Sequence, residues 1–410
     1  MNTLKEKYAK VLLENCLQIE KGQPLFISCE VERIDFVRII EKEALKLGVT
    51  DIYFEMIDTY LKHEALKYLE VEDLKKLTFW NKKMWNTYAK KNAAFLILTS
   101  ETPGIMKDIA QDKLNQMTRY VLKTRKEFEK LRDKSKIAWT IAAVPTKSWA
   151  QELWKDDRKA EEKLWELIFK VCYITDDNPQ QTWNNKIKKL ESRAEKLNQY
   201  QFKKLHYQSS NGTDFFIGLP KNHIWSFGYE KLQNGKKVLV NFPTEEIFTS
   251  PDCKTAEGVV LSSKPLLYQD NIINEFKISF KKGCVTKVEA KEGEETLKNL
   301  IGICKNANRL GEVALVPYDS PISNTNQIFL ETLLDENASC HLALGDSFPE
   351  CIEDGINKTK SALQKEYKLN KCDSHVDFMI GTKDLNITGI TEDKKEVSIF
   401  INGNFTEEFQ

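Results

Sequence analysis

The chain has 410 residues, room for two or three domains with cores of their own. Hydrophobic residues make up 41% and charged residues 30%, the balance of a soluble globular protein, and no stretch approaches the roughly 20 apolar residues of a membrane span. Lys+Arg and Asp+Glu are both 61, so no basic field exists to draw nucleic acid or an anionic membrane as the main partner.

Residues 1–8 mix acid and base and contain no signal-peptide core, which makes a cytoplasmic protein the expectation. Residues 8–19 place Val11, Leu12 and Leu17 at helical spacing and predict an amphipathic helix. The short apolar run 24–28 predicts a strand, 36–47 a helix stopped by Gly48, and 50–54 a second strand. Two further apolar runs, 93–98 and 137–144, predict a third and a fourth. Buried runs alternating with helices imply a mainly parallel sheet covered on both faces. Residues 157–200 read as charged helix anchored by Trp165, Leu190 and Leu197, a bridge between domains. Beyond about 203 the texture changes to short alternating segments. Here 202–207, 213–218, 237–240 and 276–280 predict antiparallel strands, with Gly283 in a hairpin turn. The expected fold class is α/β, with an N-terminal α/β domain over residues 1–190 and a C-terminal mixed α+β domain over 191–410.

Nine cysteines are scattered without a Cys-x-x-Cys pair, the pattern of reduced thiols. Cys340 precedes His341, but adjacent residues on a helix point about 100° apart, which disfavours a Cys-His nucleophile.

The residues that carry chemistry lie in the second half. His375-x-Asp377 puts an imidazole and a carboxylate on one face of a strand, where both reach one metal or two neighbouring metals; alone, the pattern is weak and more often marks an ordinary solvated or hydrogen-bonded pair. Asp335-Glu336-Asn337 precedes residues 337–344, which read as the start of a helix. Asp335 or Asn337 would cap that helix, while Glu336 and His341 would bracket an N-terminus facing a cavity. Glu312 begins the apolar run Val313-Ala314-Leu315-Val316, and a buried acid there needs a partner. Glu245-Glu246 follows Pro243 at a strand end. Imidazole and carboxylate together are the ligands of borderline divalent ions, and a carboxylate can bridge two of them.

Several strings resemble the M29 metallo-aminopeptidases, the aminopeptidase T and PepS-like group. They are Asn241-Phe242-Pro243-Thr244-Glu245-Glu246-Ile247-Phe248, Arg309-Leu310-Gly311-Glu312-Val313-Ala314, Ser320-Pro321-Ile322-Ser323, Asp335-Glu336-Asn337-Ala338-Ser339-Cys340-His341, and His375-Val376-Asp377-Phe378-Met379. Similar segments near Tyr8 and Lys21-Gly22-Gln23 extend the resemblance along essentially the whole chain. It implies a two-metal site of Glu246, Glu312, Glu336, His341, His375 and Asp377, with Glu312 as bridge. It also implies two divalent ions per chain, zinc or cobalt foremost, with manganese or magnesium also accepted by such ligands. Glu245 or Glu336 is implied as the proton shuttle, short peptides with a free N-terminus as substrate, and a homodimer as the assembly. One departure stands out. Where the group carries a tyrosine, this chain has Phe348, which cannot donate a hydrogen bond to a developing oxyanion; one lost donor is worth roughly 10²–10³ in turnover.

Two rivals are a catalytically weakened peptide-binding relative, supported by Phe348, and a mononuclear-iron ring-cleaving dioxygenase on the same scaffold. A single His/His/Asp iron site would leave Glu246, Glu312 and Glu336 redundant.

Overall fold

A computed structural model of the protein describes residues 1–100 and 102–410. The chain forms two compact units: Met1–Lys186 with Gly228–Pro243, and Ile187–Phe227 with Thr244–Gln410. Sequence texture places one crossing near residue 190. The chain instead leaves the first unit at 186, returns to it for 228–243, and leaves again.

The first unit is built on parallel strands β1 (Leu25–Glu30), β2 (Ile52–Ile57), β3 (Ala94–Thr99) and β4 (Trp139–Ala143). They lie in the order β4-β3-β1-β2, and Asn241–Phe242 adds a fifth parallel strand beside β4. Every residue of β1 is buried, as expected for a central strand whose sequence is apolar on both faces. Phe26, Trp85, Phe95 and Phe128 pack ring to ring in its core. Gly48 follows the helix Ile34–Lys46 with φ of 85°, the left-handed stop its sequence position suggests. The N-terminal helix runs Asn2–Lys10 and continues as the π-helical turn Val11–Cys16 rather than as one α-helix. The run 237–240 becomes Lys237–Leu239, paired with Tyr229–Lys231 in a hairpin of this first unit.

The helix Pro179–Tyr200 carries the chain out of the first unit. The second unit holds a nine-stranded sheet and a five-stranded one. The nine-stranded sheet is antiparallel, and its long hairpin Asn271–Lys281 with Cys284–Glu292 turns at Lys282 and Gly283, both with positive φ. The five-stranded sheet runs from Ser226–Phe227 through β5 (Ile247–Thr249), β6 (Leu310–Leu315) and β7 (His341–Gly345) to β8 (His375–Met379). All its neighbours are antiparallel, so directly paired residues share a face. One face presents Ile247, Val313, Leu315, Leu342, Leu344 and Phe378 to the unit's main apolar core. The opposite face carries the candidate site.

The reading of 337–344 as a helix start is corrected here. The helix is the short Thr332–Glu336, Asn337 ends it, and His341 opens β7. Buried on both faces, Leu342-Ala343-Leu344 is a continuous apolar run that length and pattern cannot separate from helix. Cys340 and His341 therefore point to opposite faces. The Cys340 thiol donates to the Val316 carbonyl at 3.2 Å, and burial pushes it up to about 12, far from a nucleophilic thiolate. Among the described residues no helix is long and apolar enough to cross a membrane.

Candidate metal centre

Strand pairing assembles the site. Glu312 pairs with Ala343, which pairs with Asp377; Ala314 pairs with His341, and Gly345 with His375. Glu312, His341, His375 and Asp377 thus lie on one face, with Ala314 and Ala343 leaving space between them. Glu246 reaches the same face from one residue before β5.

A bulge makes this possible. Residues two apart on a regular strand face the same way, so Leu310 and Glu312 would point together. The register slips at Gly311, so that Leu310 pairs with Leu344 in the core while Glu312 turns to the site. Only glycine fits there, since a Cβ on Gly311 would sit 1.9 Å from the Asp346 carbonyl oxygen. Gly345, at φ of 114°, is held as closely, with a Cβ position 1.9 Å from the Ser374 oxygen.

Two ligand groups result. In the first, Glu246, Glu312 and His341 are all buried; in the second, Glu312, His375 and Asp377 gather; in each, one ligand atom from every member lies within 4.8 Å of the others. The His341 Nε2 is 3.2 Å from Glu246 Oε2 and 3.9 Å from Glu312 Oε1. The His375 Nε2 is 3.0 Å from Glu312 Oε2 and 3.3 Å from Asp377 Oδ1. The two oxygens of Glu312 therefore face different groups. The side chain of His375 is 25% exposed and that of Asp377 12%, against 1% for His341, so the second group is the open end.

The imidazoles are oriented for coordination. His341 Nδ1–H donates to the Ser339 carbonyl at 3.0 Å and His375 Nδ1–H to the Asp346 carbonyl at 2.9 Å. A neutral ring so held turns its Nε2 lone pair toward the carboxylates. Burial favours the neutral ring, but Glu246, Asp377 and Glu312 override it and push His341 up to about 10. His375 is raised likewise by Asp377 and Glu312 against burial. Burial, together with Asp377 and Glu246 and against the pull of His375, raises Glu312 to about 7.

Charged carboxylate oxygens no more than 4.8 Å apart repel by roughly 3 kcal/mol or more at an effective dielectric near 20. Asp377 Oδ1, moreover, is buried and faces the His375 Nε2 at 3.3 Å. Clustered buried acids with two Nε2 atoms turned toward them fit divalent cations. Divalent cations held there would offset the acids' charge and let both imidazoles stay neutral.

Glu336, the last residue of its helix, is buried outside both ligand groups. Burial and the charges of Asp377 and Glu246 hold its carboxyl well above the usual range. Glu245 belongs to neither group, and its charge acts on the largely buried Arg193. Asp335 spans a turn, accepting from the Phe329 and Glu331 amides at 2.9 and 3.3 Å. Sequence reasoning missed Asn337 as a positioning residue. Its Oδ1 accepts from the Glu245 amide at 2.8 Å and its Nδ2 donates to Leu333 O at 2.9 Å, tying the Glu246 segment to the Glu336 helix. Phe348 lies with its ring centroid 4.9 Å from His375 and 5.5 Å from Phe248.

The model of the thermophilic metalloprotease family M29 matches residues 1–405. Aminopeptidase AmpS of Bacillus subtilis is 37% identical over 97% of this chain and 97% of its own length. The structure of wild-type AmpT from Thermus thermophilus superposes with a TM-score of 0.91 at 29% identity, covering 99% of both chains. A 2,5-dihydroxypyridine dioxygenase from Pseudomonas putida shares the fold at a TM-score of 0.51 and 12% identity, over 99% of this chain and 98% of that one.

Proposed function

Because the chain belongs to the thermophilic metalloprotease family M29, and so is a metal-dependent aminopeptidase, we propose that it removes single residues from the N-termini of short peptides at a two-metal centre. The observation that carries this reading is Glu312, whose two oxygens face separate ligand groups. Glu246, His341 and Glu312 would hold one ion; His375, Asp377 and Glu312 the other. Two imidazoles among carboxylates suit zinc or cobalt, with manganese or magnesium as weaker fits. Divalent ions so held supply an activated water near neutral pH and polarise the scissile carbonyl.

The protein's own groups do the rest. His375 and Asp377 form the open end, so the peptide approaches there, and the acidic lining suits its free α-ammonium. Glu336, buried beside both groups and free of either ligand set, takes the proton of the attacking water and returns it to the leaving amine. Glu245, drawn to Arg193, anchors the segment that delivers Glu246. We also propose a homodimer, for which light scattering would give twice the chain mass. A mononuclear dioxygenase site would need only one of the two groups, which disfavours that alternative.

The deciding experiment measures amino-acid release from free and N-acetylated di- and tripeptides after chelation and after zinc, cobalt or manganese is restored. Metal-restored cleavage of the free peptides only, with two ions per chain, is the expected result. One iron per chain, or tight peptide binding without cleavage, would overturn the proposal.

Phe348 offers a second test. A hydroxyl added to its ring would lie beside His375 as a hydrogen-bond donor, so F348Y is expected to raise kcat on the order of 10-fold with little change in KM. An unchanged kcat would show that no donor is missing.

A further inference from the structure

The nine cysteines include one pair the sequence separates by 68 positions and the fold brings into contact: Cys304 Sγ and Cys372 Sγ lie 2.7 Å apart. We propose that Cys304 and Cys372 are an oxidisable dithiol, a covalent modification site whose closure to a disulfide clamps the segment that delivers His375.

Cys304 sits in the bend after the helix Glu294–Gly302, six residues before β6 begins at Leu310. Cys372 lies three residues before His375. The two segments are already laced together: Asn306 Nδ2 donates to Lys371 O at 3.0 Å and Asn370 Nδ2 to Asn306 O at 2.9 Å. From there the bonding runs to the site. The Cys372 amide donates to Asp346 Oδ1 at 3.1 Å, the Asp346 amide to Ser374 O at 2.7 Å, and the Asp346 carbonyl accepts from His375 Nδ1. A bond between the sulfurs would fix the start of that relay.

Reactivity is divided between the two sulfurs. Cys304 is half-buried and meets solutes first; Cys372 is buried. Burial and the neighbouring Cys304 sulfur push the Cys372 thiol up to about 12, so it stays protonated. The co-reactant is a small peroxide. The Cys304 thiolate attacks one peroxide oxygen, the O–O bond breaks, and a sulfenic acid forms with release of hydroxide. The Cys372 sulfur, losing its proton, then attacks the Cys304 sulfur and the S–O bond breaks. Two thiols lose two electrons and two protons, and the peroxide leaves as two waters.

The test treats the metal-loaded full-length protein with one equivalent of hydrogen peroxide, quenches it, and counts thiols after denaturation. The expected count falls from nine to seven, reversibly with a thiol reductant, and an unreduced peptide map shows one link, Cys304 to Cys372. Closing a loop of 68 residues should also raise the melting temperature by about 5 °C or more. C304S, altered at the more exposed position, should keep its remaining thiols free of any intramolecular link under the same treatment. A count that stays at nine, a link between other cysteines, pairwise loss that persists in C304S, or a linked form that melts no higher than the reduced one would each overturn the proposal.

Discussion

Glu312→Gln is expected to abolish peptide hydrolysis and to reduce bound metal below two ions per chain. The amide preserves the volume of a fully packed side chain, so the fold should persist, but it removes the one negative charge both ligand groups share. Glu312 Oε2 stands 3.0 Å from His375 Nε2, and Oε1 stands 3.9 Å from His341 Nε2. Replacing one ligand oxygen by an NH₂ turns a donor toward the place where each group needs an acceptor. The loss in kcat/KM should reach about 10⁴ or more, since the activated water and the polarised carbonyl fail together. Metal analysis after exhaustive dialysis checks the structural half of the claim and peptide hydrolysis the chemical half. Two retained ions with full activity would mean that Glu312 is not the bridge.

Glu336→Gln should behave differently. Its carboxyl is outside both ligand groups, so metal content is expected to stay at the wild-type value. Proton transfer by a positioned side chain is worth roughly 10²–10⁴, and kcat should fall by that factor with KM little changed. The same comparison on Glu245→Gln separates the two acids named by sequence. A small effect at Glu245 fits its association with Arg193; a loss confined to Glu245 would reverse the assignment. Loss of metal in Glu336→Gln would instead make Glu336 a ligand.

Much of this was legible in one dimension. The apolar runs at 24–28, 93–98 and 137–144 became β1, β3 and β4 because an inner strand covered on both faces is apolar nearly throughout, which local composition records directly; the edge strand β2, only partly buried, grew from the mixed segment 50–54. His375-x-Asp377 was legible for a similar reason: period two puts both on one face whatever the rest of the chain does. The same rule failed at residues 337–344, where burial on both faces erased the alternation that separates strand from helix. It would also have failed at Glu312, whose alternation with Leu310 is broken by the bulge at Gly311.

What the sequence by itself determined is the chemistry on offer: acids and imidazoles in short apolar settings, in a set resembling one family. Only tertiary structure decided how they divide. Five side chains fall into two groups joined by Glu312, Glu336 stands apart, Glu245 turns to Arg193, and Asn337 ties two distant segments together. Cys304 and Cys372, 68 positions apart, meet for the same reason. Side-chain type and spacing are local properties, written residue by residue. Strand register, a one-residue bulge and the approach of two loops are set by packing across the whole unit, and no local pattern carries them.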